Sequence, residues 1–152
     1  PPMAVPLKLD VTTGDKITPK EIEYSFKLLL EDRSISILAY NLETILAEKL
    51  ETVISRSDQN TRPRDYYDIY VLMKLQSHNI DLPSLKEALD ATCKKRGSAE
   101  IIKGYKQVMD QVKSSTVMQE QWTKYQQEFD YASGIPFEDT CDTVIFVMES
   151  LE

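Results

Sequence analysis

The sequence predicts an α+β fold in which a short antiparallel β segment precedes a mainly helical bundle. The first observation is that apolar and polar residues alternate through much of the first 40 residues, which is the period of half-buried strands. The second is that this period changes after Tyr40 to the spacing of amphipathic helices. The third is that four helix-length segments with short polar connections follow Asp81, as in an antiparallel bundle.

The β segment is predicted as one strand followed by a hairpin. Leu7–Thr12 alternates apolar and polar residues and forms the first strand. A second alternation runs over Ile22–Leu30, and a third resumes over Ile35–Ala39 after the polar turn Glu31–Arg33. Two alternating runs around a short polar turn are typical of a β-hairpin. A helix over residues 19–30 is the alternative, but its apolar residues would be scattered around the axis.

Two helices are predicted between Tyr40 and the middle of the chain. Asn41 is a good N-cap, and apolar residues recur at helical spacing from there to about Arg56. Pro63 suits the first turn of the next helix, which the pattern extends to Gln76. The four later helices are predicted over 83–95, 99–113, 116–130 and 137–151. The chain is therefore divided into a core portion, residues 1–80, and a helical bundle, residues 81–152.

Composition restricts the classes of function. The 152 residues carry a net charge of −7, which argues against broad binding of phosphate backbones, so any nucleic-acid contact must be local. Cys93 and Cys141 are isolated, as is typical of buried thiols in a reducing cytosol. His78 is the only histidine, so neither a zinc site nor a Ser-His pair is indicated. No apolar run approaches the roughly 20 residues of a membrane span, and we expect a cytoplasmic protein without membrane contact.

Lys49 is the first candidate for a functional residue. It projects from the apolar face of the first predicted helix, between Leu46 and Val53. A lysine in that position must either extend along its stem to water or meet an anionic partner. Glu48 lies about 100° further around the helix, where it either supports the site or is a charge that faces solvent.

Asp65 and Asp68 form the second candidate feature, because residues three apart are neighbours on one helical face. That face is expected to carry three apolar residues, Ile69, Leu72 and Leu75. Three arginines lie close by in the sequence, Arg56, Arg62 and Arg64. Two carboxylates among three guanidinium groups indicate either a surface salt-bridge network or a site for a phosphate-bearing ligand.

Asp10 is the third candidate, since it projects from the first predicted strand to the face opposite Leu9 and Val11. On a solvated face it is an ordinary polar residue, whereas on a face that lines a cleft it is placed as a ligand for Mg²⁺. Lys94-Lys95-Arg96 ends a predicted helix, and compensation of the helix dipole explains it more simply than contact with RNA. Three aromatic residues at helical spacing are expected in the core rather than on a base-stacking platform: Trp122, Tyr125 and Phe129.

Three sequence blocks follow one another within residues 7–75: Leu7–Asp15 (LKLDVTTGD), Ala39–Glu51 (AYNLETILAEKLE) and Asn60–Tyr70 (NTRPRDYYDIY). In this order and at these spacings they resemble the AbiEii/AbiGii nucleotidyltransferase toxins of bacterial type IV toxin–antitoxin systems. The combination is more specific than any one block. The resemblance implies part of a two-lobed, polymerase-β-like nucleotidyltransferase core.

The resemblance also implies roles for individual residues. The family lysine that matches Lys49 contacts the nucleoside triphosphate, and the acid that matches Asp65 lies beside that lysine or supports it. Asp10 matches the strand carboxylate that can complete the Mg²⁺ site. Four further residues are expected to bind the nucleotide or support those that do: Glu48, Arg62, Arg64 and Asp68. The implied reaction transfers a nucleoside monophosphate from an NTP to an acceptor, which is tRNA in the better-understood members.

One departure from the family pattern limits what the chain is expected to do. The superfamily's Gly-Ser loop and Asp-x-Asp, which bind the principal metal ion, should precede Asp10, yet no two aspartates are spaced i, i+2. We therefore expect the chain to be the carboxy-terminal part of a longer protein and to be inactive alone. A non-catalytic NTP-binding or regulatory module and a purely structural helical domain are the alternatives. The resemblance assigns no residue to contact with an antitoxin.

Overall fold

The computed structural model describes residues 6, 8–9, 11, 13–14 and 16–152, and this part of the chain contains two strands and seven α-helices. The strands are β1 (Ile22–Lys27) and β2 (Ser34–Ala39). The helices are α1 (Leu42–Arg56), α2 (Pro63–Gln76), α3 (Leu82–Arg96), α4 (Ala99–Lys103), α5 (Tyr105–Ser114), α6 (Thr116–Glu128) and α7 (Phe137–Glu149). Short 3₁₀ turns lie at Ser57–Gln59, Ser77–Asn79 and Asp130–Ala132. The predicted α+β class is confirmed.

β1 and β2 form the predicted antiparallel hairpin. Tyr24 lies opposite Ile37, so the apolar residues of the two strands share one face. The first alternation was predicted to continue to Leu30, but β1 ends at Lys27 and residues 28–33 form the connection. Leu30 is 98% exposed, which shows that the last apolar residues of that alternation have no packing surface to hold them in a strand.

The predicted first strand, Leu7–Thr12, lies largely outside the described residues, because Leu7, Asp10 and Thr12 are not among them. Leu9 and Val11 are described, and they are 80% and 84% exposed. Within the described part of the chain, the sheet therefore consists of the hairpin alone.

The first two helices lie where the sequence pattern placed them, whereas the later segment over 99–113 is divided. α4 ends at Lys103 and α5 begins at Tyr105. Gly104 separates them, because glycine is a weak helix former and its N–H closes a tight turn on the Ile101 carbonyl at 3.0 Å. Among the described helices, none is long and apolar enough to cross a membrane.

One hydrophobic cluster joins both regions of the chain. α3 packs along α1, α7 packs along α2, and α5 contacts α7. The cluster includes Leu50 of α1 and Tyr66 of α2, which are fully buried. Trp122 and Tyr125 belong to it as expected, and the Trp122 indole donates a hydrogen bond to the Ile135 carbonyl at 2.9 Å. The helices beyond residue 80 therefore complete the core around α1 and α2.

The apolar face predicted for α2 is correct at Ile69 and wrong at Leu75. Ile69 is fully buried, whereas Leu75 is 60% exposed. Six residues separate them, which is about 600° of helical rotation and leaves them roughly 120° apart around the axis.

Asn41 fixes the start of α1 to the segment that precedes the hairpin. Its side-chain oxygen accepts the Thr44 N–H at 2.7 Å, as an N-cap does. Its amide donates to the carbonyls of Thr18 and Lys20 at 2.7 and 2.9 Å. The Thr44 hydroxyl also accepts the Thr18 N–H at 3.0 Å. Because these groups are mostly buried, the bonds hold the entry to α1 in place.

Replacing Asn41 tests this junction. Asn41→Ala should lower the free energy of unfolding by about 2 kcal/mol, because the cap contributes about 1 kcal/mol and the two bonds to carbonyls add to it. Asn41→Ser keeps a capping oxygen and should fall between the alanine variant and the wild type. Urea denaturation followed by circular dichroism measures both, and equal stability of the two variants would contradict a capping role.

The two cysteines should be inert in the folded protein. Both are free and buried. Burial raises the pKa of the Cys141 thiol to about 12 and also raises that of Cys93. Because the thiolate is the reactive form, neither should react with an aromatic disulfide reagent at about pH 8, and both should react once guanidinium unfolds the chain. Rapid labelling of the native protein is the contrary result.

Candidate functional site

A lysine and two aspartates meet where α1 and α2 pack together. The Lys49 ammonium lies 3.1 Å from Oδ1 of Asp65 and 2.6 Å from Oδ2 of Asp68. The side chain of Asp65 is 7% exposed, and those of Lys49 and Asp68 are 22% and 23% exposed. We call these three residues the Lys49 cluster. Its charges are largely removed from water, so it is not a surface salt bridge of the kind that contributes little.

The periodicity of the two helices builds the cluster. Lys49 lies between Leu46 and Leu50, which are both fully buried, so the lysine stem is carried into the packed face of α1. Asp65 and Asp68 are one turn apart on α2, so their carboxylates project from the same face. Of the two alternatives for Lys49, water or an anionic partner, the structure shows the second, and the anions are Asp65 and Asp68 of this chain rather than the phosphate that the resemblance implies.

Arg62 and Arg64 contact the two carboxylates from the solvent side. Nε of Arg62 lies 3.5 Å from Oδ2 of Asp65, and Nε of Arg64 lies 3.7 Å from Oδ2 of Asp68. Their side chains are 61% and 76% exposed. These distances exceed those of charge-assisted hydrogen bonds, so both guanidinium groups keep most of their donors for water or a ligand. Three cations and two carboxylates leave one net positive charge in a chain of net charge −7.

Among the described residues, Glu48 and Arg56 are not brought to the ammonium of Lys49. Glu48 is half-buried beside Lys49 on α1, but the two carboxylates that bind the ammonium are those of α2. Arg56, the third arginine expected nearby, lies in a separate surface depression with Asp58 and Gln111. Asp10 lies outside the described residues.

One carboxylate oxygen of the cluster has no hydrogen-bond donor. Oδ2 of Asp65 is buried and accepts no hydrogen bond from the described part of the chain. A buried acceptor in this state favours a donor or a cation. The described residues nevertheless include no group of three His, Cys, Asp or Glu side chains that could hold a metal ion. The Lys49 ammonium itself lies between the two acids and neutralises much of their charge.

The sequence pattern assigned Tyr125 and Phe129 to the core only and did not predict the cavity that they line beside the two arginines. Lys124 and Tyr125 line this open cavity together with Arg62 and Arg64. Burial, followed by the hydrogen bond with Tyr131, raises the pKa of the Tyr125 hydroxyl well above its usual value. No local signal identifies this cavity, because α6 reaches α2 only through long-range packing.

The basic triplet at the end of α3 has a structural partner. Arg96 donates a hydrogen bond to the buried carboxylate of Glu51 and another to the Thr52 hydroxyl at 3.1 Å. This contact ties α3 to α1. The sequence interpretation weighed the helix dipole against contact with RNA and missed this partner, because the partners are more than 40 residues apart.

The chain matches a known family of nucleotidyl transferases over most of its length. Residues 1–143 match the sequence profile of the family described as nucleotidyl transferase AbiEii toxin, type IV TA system. The chain therefore belongs to the AbiEii family. The match extends beyond the motif blocks and includes most of the tail helices. No curated protein and no solved structure matches the chain significantly.

A double-mutant cycle measures the coupling within the cluster. Lys49→Met should lower the free energy of unfolding by about 2 kcal/mol, because it leaves mostly buried carboxylates without their ammonium, and partial exposure moderates the loss. Asp65→Asn should also destabilise, and the double variant should lose at least about 1 kcal/mol less than the sum of the two single changes. Urea denaturation supplies all three values.

The matched control for this cycle is Lys27→Met, because the partner of Lys27 is the fully exposed Asp32 at 3.4 Å. A pair in water contributes little, so this variant should unfold like the wild type. Additive effects of the Lys49 and Asp65 substitutions would show that the two side chains do not stabilise one another.

Proposed function

We propose that the protein transfers a nucleoside monophosphate from an NTP to an RNA acceptor, with tRNA as the acceptor, and that the Lys49 cluster binds the NTP. The observation that carries the proposal is the largely buried ammonium held between Asp65 and Asp68, in a chain that belongs to a nucleotidyl transferase family. We further propose a cytoplasmic location, because both cysteines are free thiols and reduced thiols suit that compartment.

Lys49 contacts the phosphates of the NTP in this proposal. An ammonium group has three N–H donors, and the carboxylates of Asp65 and Asp68 accept two of them. The third donor remains for a phosphate oxygen. The side chain of Lys49 is 22% exposed, so it is not fully sealed from solvent. A cation that is already held in place needs little rearrangement when charge develops on the phosphate.

Asp65 acts by positioning Lys49 and is the more buried of the two acids, at 7% side-chain exposure. Asp68 supplies the shorter contact with the ammonium, 2.6 Å. Arg62 and Arg64 are proposed to bind phosphate oxygens with the guanidinium N–H groups that their carboxylate contacts leave free. Glu48 is proposed as a supporting residue beside Lys49.

Mg²⁺ is the cofactor that nucleotidyl transfer implies, and when bound it would neutralise charge on the phosphates. Asp65 and Asp68 do not by themselves fit it, because both are occupied with the Lys49 ammonium. Asp10 is the residue of this chain that we propose as a metal ligand. Because the chain contains no two aspartates spaced i, i+2, we propose that the 152 residues alone do not catalyse the transfer.

We propose that the two regions of the chain have different roles. Residues 1–80 carry the Lys49 cluster, and residues 81–152 brace it. The packing of α3 along α1 and of α7 along α2 supports this division, because it fixes the two helices that supply the cluster from their outer sides.

Incorporation of a labelled NTP into tRNA tests the proposal, with protein expressed from the complete gene. Lys49→Ala should lower the rate by about 100-fold or more, the usual loss when one preorganised donor to a developing charge is removed. Lys74→Ala is the control, since Lys74 lies near the other end of α2 and contacts Tyr70. The chain of 152 residues should incorporate nothing above background.

Two results separate this proposal from its alternatives. Equal rates for Lys49→Ala and the wild type would refute the assigned role of the lysine. NTP binding that depends on Lys49, measured by calorimetry without any incorporation, would favour a non-catalytic binding module.

A further inference from the structure

An open cavity of about 560 Å³ lies beside the Lys49 cluster, between the start of α2 and the last turns of α6. That volume is within the range of sites that bind small organic ligands. Three cationic side chains line it, Arg62, Arg64 and Lys124, together with one carboxylate, Glu128. The chain as a whole is acidic, so this local excess of positive charge marks where an anionic ligand can approach.

The cationic side chains of the cavity have N–H donors that are not used in strong contacts. Arg62 and Arg64 contact their carboxylates only through Nε, at 3.5 and 3.7 Å, and both side chains are mostly exposed. Lys124 is exposed, and within the described residues no ion pair engages it. All three can therefore bind phosphate oxygens without breaking a strong contact.

Three aromatic residues also line the cavity: Tyr125, Phe129 and Tyr131. The Tyr131 ring stacks on Phe129, with centroids 5.3 Å apart and planes 26° apart, and lies 4.8 Å from the Tyr67 ring. Its hydroxyl lies 3.0 Å from that of Tyr125. These contacts hold the ring in place, yet Tyr131 is 53% exposed. A fixed, half-exposed ring next to cations has the features of a nucleobase stacking platform.

We propose that this cavity binds a nucleotide of a single-stranded RNA, with the base on Tyr131 and the adjacent phosphates at Arg62, Arg64 and Lys124. The strand must be single, because only an unpaired base can lie on the ring. The inference rests on the proposed function, since it makes the cavity the binding site of the acceptor. Arg62 and Arg64 belong to both sites, which places the acceptor strand next to the Lys49 cluster.

The role of the cationic side chains is tested by fluorescence anisotropy, with a labelled eight-nucleotide single-stranded RNA and the 152-residue chain. Lys124→Glu should weaken binding by about tenfold, because it replaces a phosphate contact with repulsion. The control is Lys103→Glu on α4, which changes the net charge equally at an exposed lysine that pairs with Glu100. If both variants weaken RNA binding equally, the effect comes from the change in net charge, and the proposed site is wrong.

The stacking role of Tyr131 is tested by comparing it with a second half-exposed tyrosine. Tyr131→Leu should weaken RNA binding by about tenfold, whereas Tyr131→Phe should retain it, because stacking needs the ring and not the hydroxyl. Tyr24→Leu on β1 is the control, since Tyr24 is 51% exposed and Tyr131 is 53% exposed. Thermal unfolding confirms that each variant is folded. Unchanged affinity of Tyr131→Leu would overturn the proposal.

Two competitors identify the ligand. A duplex of the same RNA sequence should bind about tenfold more weakly, because its bases are paired and cannot stack on the ring. Equal binding of duplex and single strand would overturn the stacking role. ATP in excess should weaken RNA binding only in part, because the two ligands share Arg62 and Arg64 but not Lys124 and Tyr131. Full displacement by ATP alone would assign the cavity to the NTP instead.

The protein from the complete gene separates the cavity from the proposed reaction. In the incorporation assay, Tyr131→Leu should raise the KM for RNA about tenfold and leave kcat unchanged, because it removes binding and not chemistry. If the protein incorporates no NTP but its RNA binding still depends on Lys124 and Tyr131, the proposed reaction is refuted and the proposed RNA site stands. If substitutions of Lys124 and Tyr131 leave incorporation unchanged, the proposed RNA site is refuted and the proposed reaction stands.

Discussion

The ion pairs of Lys49 with Asp65 and Asp68 are the contacts on which the arrangement of the site depends. A cation on the packed face of a helix is strongly destabilising unless opposite charges reach it. Here they come from one neighbouring helix, at 3.1 and 2.6 Å. Because Asp65 and Asp68 are one turn apart, only a narrow range of positions of α2 along α1 lets both carboxylates reach one nitrogen. The cluster therefore constrains the helix pair as well as the chemistry.

The tail helices surround this pair on the sides that the cluster leaves free. α3 covers α1, where Arg96 bonds to Glu51, and α7 covers α2. Residues 81–152 contain eight Lys or Arg and thirteen Asp or Glu, so this part of the chain carries a net charge of −5. Lys124 is one of its cations and lies in the cavity with Arg62 and Arg64, beside Tyr131. In an acidic chain, these grouped cations are a favourable approach for an anionic ligand.

The parts of the fold that depend on local chemistry could be predicted, and those that depend on long-range contacts could not. Asn41 and Pro63 mark helix starts by their own capping and backbone preferences, and both predictions are confirmed. Periodicity left Lys49 with two alternatives, water or an anionic partner, and could not decide between them because its partners are 16 and 19 residues away. Leu30 was misassigned because alternation does not reveal whether a packing surface exists. Tyr131 lies in a 3₁₀ turn without any periodic signal.

The choice of lysine for this position follows from the same geometry. The guanidinium of an arginine is a planar fork that suits two parallel bonds to one carboxylate. An ammonium has three donors that rotate on a flexible stem, so it can bond two separate carboxylates and one further acceptor. Asp65 and Asp68 take the first two donors. The third donor is not used by either aspartate, and Arg62 and Arg64 contact the same two carboxylates, so the proposed phosphate site would combine three cationic groups.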